Sequence, residues 1–184
     1  MTKICPPSTH PRVIDYGCGI GNVALYLAAA GYEVTAADVP GRTLDFVRHR
    51  AHRHGIQLRI LEITNDTPDL PHEGFDIVVS FDVLEHVPNP DNILFCLVRS
   101  LRSGGVAAIN VEFSTNDNLP HHLMINWMKF GRTRNWWIYV HSAGLDGAGI
   151  EMLYRKINRY QSLLRIIKYR FWRLTGIYIM RWPR

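Results

Sequence analysis

The sequence predicts an α/β fold built on a doubly wound, mostly parallel sheet. Three observations carry that expectation. Short apolar runs alternate with helical segments at the pace of βαβ units, the first run feeds straight into three alternating glycines and an alanine-rich stretch, and polar residues fall where the strands should end. At 184 residues the chain is long enough to bury a core and is expected to be a single domain, residues 1–184.

Arg12 to Tyr16 is the first expected strand and Asn22 to Ala30 the helix that returns from it, stopped by Gly31. Tyr32 to Ala37 is a second strand ending on Asp38, and Arg42 to Arg53 a helix closed by His54 and Gly55. Ile56 to Ile63 is the third strand, followed by a polar loop. Phe75 to Ser80 is a continuously apolar fourth strand of the kind buried on both faces. Pro88 and Pro90 precede a helix from Asp91 to Leu101, and Ser103-Gly104-Gly105 turns the chain into a fifth strand, Val106 to Phe113. Asn116 to Arg134 reads as aromatic and irregular, Asn135 to Ala143 as a helix ended by Gly144, and Gly149 to Lys156 as a sixth strand. From Asn158 to Leu174, apolar residues at helical spacing among arginines predict a basic amphipathic helix, and Ile177 to Trp182 a short closing strand.

The net charge of +5 is unevenly distributed. Residues 1–150 carry 12 Lys/Arg against 15 Asp/Glu, whereas residues 151–184 carry 9 Lys/Arg and one acid. An acidic body with a basic tail points to a segment that meets phosphate, on a membrane surface or on nucleic acid. No internal repeat and no apolar run of membrane-spanning length is present, and Met1 to His10 lacks the pattern of a signal peptide, so a cytoplasmic location is expected. The scattered Cys5, Cys18 and Cys96 suggest reduced thiols.

The chemistry begins at Val13-Ile14-Asp15-Tyr16-Gly17-Cys18-Gly19-Ile20-Gly21-Asn22. Glycines at i, i+2 and i+4 let the backbone turn and approach a ligand closely, and the N–H groups opening the next helix favour a negative group. Asn22 stands where a dinucleotide fingerprint has its last glycine, which argues against a dinucleotide. Asp38, about twenty residues on, is placed to accept both hydroxyls of a ribose. Asp66 and Thr67 follow the third strand, and Ser80 and Phe81 close the fourth. A ligand of nucleoside size can touch all of these strand ends at once.

Together with Leu70-Pro71, Phe75-Asp76-Ile77-Val78-Val79, Leu84-Glu85-His86-Val87 and Leu101-Arg102-x-Gly104-Gly105, this set resembles the class I S-adenosylmethionine-dependent methyltransferases over roughly residues 11–113. The resemblance implies a Rossmann-like methyltransferase sheet with S-adenosylmethionine as cofactor. Gly17, Gly19 and Gly21, with Asp15 just before them, would cradle its methionine part. Asp38 would hold the ribose, Asp66 with Thr67 the adenine amino group, and Ser80 and Phe81 would contact the cofactor again. Residues 114–157 are then expected to form the acceptor side and lid, with Trp127, Trp136, Trp137 and Tyr139 as candidates for an aromatic wall. About ten residues precede the first strand, so a cofactor cover is expected from elsewhere in the chain.

Asp82, Glu85 and His86, spaced i, i+3, i+4, would share one face of a helical turn. That set is similar to the acid-x-x-Glu-His ligands of ubiquinone-biosynthesis O-methyltransferases and of small-RNA 3′-terminal methyltransferases, which implies a divalent cation, magnesium or manganese. His86, His121 and His122 are the candidate catalytic residues, His121 and His122 also as further ligands. His49, His52 and His54 lie among arginines on an expected surface helix and are read as solvated. The expected reaction is O-methylation of a small or lipid-like hydroxyl acceptor. RNA 2′-O-methylation and non-catalytic cofactor or partner binding are the alternatives. Residues 158–184 either pack against the sheet with their charges facing water or make a membrane-surface contact, ranked ahead of nucleic acid and consistent with peripheral membrane association.

Overall fold

A computed structural model describes residues 6, 9–65, 67–113, 122–130, 133–147 and 152–175. The elements follow as β1 (Arg12–Tyr16), α1 (Asn22–Ala29), β2 (Glu33–Asp38), α2 (Arg42–Arg53), β3 (Arg59–Glu62), β4 (Phe75–Phe81), α3 (Pro90–Ser100), β5 (Leu101–Asn110), α4 (Met124–Phe130), α5 (Thr133–Ser142), β6 (Leu145–Gly147), β7 (Leu153–Lys156) and α6 (Arg159–Thr175). The sheet runs β3-β2-β1-β4-β5-β7-β6. Strands β1 to β5 pair in parallel, β7 runs antiparallel to β5, and β6 antiparallel to β7. The chain leaves β1 toward β2 on one side and returns through β4 on the other. The crevice at the carboxyl ends of β1 and β4 is therefore a topological switch point, where open α/β sheets bind ligands.

Two apolar layers cover the sheet. Val13, Ala24, Leu27, Val34, Leu44, Val47, Ile77 and Val79 make one, formed by α1 and α2 against the sheet. Ile14, Val78, Leu94, Leu97, Ile109, Ile138 and Tyr139 belong to the other, under α3 and α5. In α2 the buried Leu44, Val47 and Ala51 recur at i, i+3, i+7, the spacing that lays one stripe on the sheet. Pro90 opens α3 at a position that needs no N–H donor.

The larger departures from the expectation each have an identifiable reason. Strand β5 begins at Leu101, because a register irregularity pairs Phe75 with Leu101 and then Ile77 with Val106, so residues 102–105 bulge within the strand. Strand β3 starts late because the Ile56 N–H is spent on the Ala51 carbonyl at 2.9 Å, closing α2. The expected sixth strand is only β7, and a short β6 joins it at the sheet edge. The region read as irregular contains α4, whose one fully buried side chain among those described is the polar Asn126, so no apolar stripe marked it. The expected closing strand, Ile177 to Trp182, lies outside the described residues.

The basic tail helix is α6. Its first turn is capped by Asn158, whose Oδ1 accepts the Gln161 N–H at 2.9 Å. It packs on α5, with Trp172 against the core and Arg165 donating a two-pronged pair of bonds, 2.9 and 3.1 Å, to Asp146. No described helix is long and apolar enough to cross a membrane.

Candidate active site

The glycine loop turns through three left-handed residues, Gly17 (φ 73°), Gly19 (φ 53°) and Gly21 (φ 78°). A Cβ on Gly17 would sit 2.2 Å from Val83 Cγ2 and one on Gly21 2.9 Å from Val47 Cγ1, so both glycines are needed for packing. A Cβ on Gly19 would meet nothing within 4 Å, which makes Gly19 the open side of the cradle.

Strand β2 and helix α2 hold this loop. The Gly17 and Cys18 N–H groups donate to the Ala37 carbonyl at 2.8 and 3.1 Å. Asp38 accepts the Gly19 N–H with Oδ2 and the Val39 N–H with Oδ1, both at 2.7 Å. From α2, Arg50 donates to the Ile20 carbonyl at 2.6 Å and to Asn22 Oδ1 at 2.8 Å. Arg50 was not foreseen. It reaches the loop across some thirty residues, and no local spacing signals such a contact.

Two buried polar atoms stand at the ends of the adjacent strands β1 and β4. Asp15 Oδ2 and Ser80 Oγ have no hydrogen-bond partner among the described residues, and each unmade bond costs about 1–3 kcal/mol. Burial pushes the Asp15 carboxyl up to about 6, against the Ala24 N–H that favours its charge and with the nearby Asp38 charge adding to the rise. Phe81 closes β4 partly exposed, and Thr67 is exposed beyond β3. Asp66 lies outside the described residues.

After β4 the chain does not form the expected helical turn. Asp82 adopts φ 54°, and its Oδ1 accepts Asn110 Nδ2 at 2.8 Å, so it is tied to the end of β5. The acid-rich set is corrected accordingly. Glu85, His86 and His122 bring their donor atoms within 4.8 Å of one another, and Asp82 is not in that cluster. Glu85 is buried; one carboxylate oxygen accepts the Glu112 N–H at 3.3 Å, while Oε2 has no partner among the described residues. The His86 and His122 rings meet edge on at 4.9 Å. His121 lies outside the described residues.

Helix α4 holds this turn from behind. Asn126 Nδ2 faces the carbonyls of Leu84, Glu85 and Val87 at 3.4, 3.1 and 2.7 Å, and the Leu123 N–H donates to the Glu85 carbonyl at 3.1 Å. The expected aromatic wall divides. Tyr139 is fully buried and Trp136 packs beside it and Phe113, whereas Trp127 and Trp137 are nearly half exposed. His49, His52 and His54 are exposed, as expected.

A family described as a methyltransferase domain matches residues 14–109, just over half of the chain. A ubiquinone biosynthesis O-methyltransferase of Shewanella pealeana is 34% identical over 110 residues, covering 59% of this chain and 45% of that protein. The chain thus spans less than half the length of the curated relatives it matches. Among solved structures, the YcgJ protein of Bacillus subtilis superposes with a TM-score of 0.61 at 18% identity, over 76% of this chain and 66% of that one. The [4+2]-cyclase SpnF gives 0.61 at 19% identity, over 74% and 52%. Both likenesses concern the fold alone, and the second shows that one fold carries different reactions.

Proposed function

The chain belongs to the methyltransferase domain family, and from that premise we propose that it uses S-adenosylmethionine to methylate a hydroxyl of a small or lipid-like acceptor. The observation that carries this reading is the unpartnered buried Asp15 Oδ2, two residues before a glycine cradle left open at Gly19. Two strand-end acids, Asp15 and Asp38, and a gap at Gly19 where a Cβ would fit suit a ligand with an amino-acid portion and a ribose. S-adenosylmethionine supplies an electrophilic methyl group on a sulfonium.

What remains for the protein is orientation and proton handling. Gly17, Gly19 and Gly21 with Asp15 hold the amino-acid end, and Asp38 the ribose. Asp66 and Thr67 take the adenine side, and Ser80 and Phe81 line the approach to the methyl group. With no cation bound, His86 or His122 would receive the hydroxyl proton as the acceptor oxygen attacks, a role that His121, next to His122 in sequence, could share. The relatives' name supports an oxygen acceptor, because they methylate oxygen in ubiquinone biosynthesis.

A divalent cation fits the corrected cluster. One buried carboxylate oxygen without a partner and two imidazoles suit manganese better than magnesium, which prefers an all-oxygen shell. A cation held by Glu85, His86 and His122 would lower the pKa of a bound hydroxyl and fix its oxygen.

Calorimetric titration with S-adenosylmethionine and S-adenosylhomocysteine tests the cofactor. Assay of hydroxylated aromatic acceptors with and without apolar tails, with methyl incorporation as the readout, tests the reaction. Absence of cofactor binding would overturn the proposal, and binding without transfer to any hydroxyl would leave a non-catalytic module. Manganese titration of the wild type and of Glu85→Gln, followed by electron paramagnetic resonance, tests the cation apart from activity. Equal signals in both would remove the metal reading.

A further inference from the structure

Among its described side chains, helix α6 turns one arginine inward and an apolar stripe outward. Arg165, only 17% exposed in its side chain, is on the packed side with its ion pair to Asp146, and Trp172 is on the same side against the core. Facing outward is an apolar stripe, Ile167, Phe171 and Leu174, at i, i+4, i+7 and 57%, 45% and 87% exposed. The exposed Arg170 borders that stripe, with Lys168 on its other flank. A helix whose only duty was to cover the protein would turn these three residues inward and leave Arg165 in water.

A second element repeats the arrangement independently. Helix α4 directs the polar Asn126 into the protein and exposes Met124, Ile125, Trp127 and Met128. Met and Trp side chains suit an irregular, half-polar boundary. Both helices pack on α5. Exposed apolar residues clustered on a helix face mark an interaction surface, and each of these two helices carries such a face.

The charge says which partner fits. From His121 to the end of the chain there are twelve Lys/Arg and two acids, Asp146 and Glu151, and Asp146 is already paired with Arg165. Residues 1–120 hold nine Lys/Arg and fourteen acids. A second copy of the chain docked through the same face would bring Arg170 and Lys168 against their own like charges. A nucleic acid would meet the basic residues and leave the aliphatic stripe without a partner. An anionic bilayer satisfies both, with apolar side chains in the headgroup boundary and Lys/Arg among the phosphates.

We propose that the outward faces of α6 and α4 dock this protein on the surface of anionic phospholipid membranes. The proposal adds a partner to the function above, and it is consistent with an acceptor that is itself lipid-like. Its readout does not depend on methyl transfer, so the two readings fail separately.

The test is co-sedimentation of the full chain with phosphatidylcholine vesicles, with and without phosphatidylglycerol. Binding is expected on the mixed vesicles and is expected to weaken in high salt. Ile167→Asp/Phe171→Asp should lower the partition coefficient at least about tenfold. Leu174→Asp, at a position too exposed to affect folding, should lower it measurably. Arg170→Glu should reduce binding to anionic vesicles and leave binding to neutral ones unchanged. Circular dichroism and S-adenosylhomocysteine affinity should stay at wild-type values in all three. Unchanged partitioning of Leu174→Asp and of the double variant would overturn the proposal. So would a wild type that ignores vesicles and instead self-associates through this face or binds RNA.

Discussion

Asp38 and Gly19 are joined by a 2.7 Å hydrogen bond from the loop N–H to the carboxylate, linking the end of β2 to the cradle glycine beside which an added Cβ would meet no atom. The other carboxylate oxygen is held by the Val39 N–H, so the acid is fixed in direction as well as position. A ligand that uses Asp38 finds its carboxylate oriented in advance.

Asp38→Ala should therefore weaken S-adenosylhomocysteine binding twice over, through the lost ribose acceptor and the loosened loop. A hydrogen bond to a charged group contributes about 1.5–3 kcal/mol, which corresponds to an increase in Kd of about 10- to 100-fold. Calorimetry on the wild type and the variant checks it, and equal affinities would remove Asp38 from the site. Asp38→Asn, which keeps an oxygen acceptor, should fall between the two.

The glycines separate packing from binding. Gly17→Ala places a Cβ 2.2 Å from Val83 Cγ2 at φ 73°, so both clash and backbone strain oppose it, and a loss of at least about 1–3 kcal/mol is expected in chemical denaturation. Adding Val83→Ala should recover the part due to the clash and leave the strain. Gly19→Ala meets no protein atom, so its stability loss should be confined to the strain while its Kd for S-adenosylhomocysteine rises steeply. A Gly19→Ala variant that binds as the wild type does would mean that the ligand lies elsewhere.

Asp15 should make the ligand-free protein less stable as pH rises. Its folded pKa of about 6 stands above the 3.8 of the free side chain, so between these values the folded state holds a proton that the unfolded state has released. Stability then falls as pH climbs from about 4 to 6 and stays low above that range. A shift of some two units corresponds to about 3 kcal/mol. Asp15→Asn keeps an acceptor for the Ala24 N–H and removes the titration. It should flatten that slope and raise Tm at neutral pH, while weakening cofactor binding. A variant with the same pH profile as the wild type would show that Asp15 does not titrate in this window.

The parts of this site that could be read from the sequence are those whose signal is local. The glycine loop, Asp38 and the strand ends Ser80 and Phe81 each lie at the junction of a strand with a turn, where alternation or an apolar run stops visibly. Arg50 could not be read, because its contacts with Ile20 and Asn22 depend on how α2 packs beside α1. Asp82 was misread for a conformational reason: the i, i+3, i+4 spacing presumes a helical turn, and a left-handed residue at its first position breaks it. The bond from Asn110 to Asp82 comes from a strand distant in sequence and fixes that acid outside the cluster. Helix α6 was legible as a helix, but the direction of its apolar stripe was not, since it depends on the pairing of Arg165 with Asp146.

Asn126 is the remaining residue that spacing could not reveal, and it makes a sharp prediction. Its amide nitrogen lies within bonding distance of three carbonyls of residues 84–87, the backbone that carries Glu85 and His86, so α4 positions this turn without touching a reacting atom. Asn126→Ala leaves those buried carbonyls short of a donor and should cost about 1–3 kcal/mol of stability. Cofactor affinity should hold, because the glycine loop and Asp38 are supported from β2 and α2 instead. Turnover should drop, and manganese binding should weaken if the cluster holds the ion. Asn126→Asp, which has the same shape but no N–H to donate, should resemble Asn126→Ala, whereas Asn126→Gln should recover part of the function by restoring a donor. A purely structural role would lower stability in step with cofactor binding and turnover together. Separation of kcat from cofactor Kd across the three variants is therefore the measurement that decides whether α4 sets the geometry of Glu85 and His86.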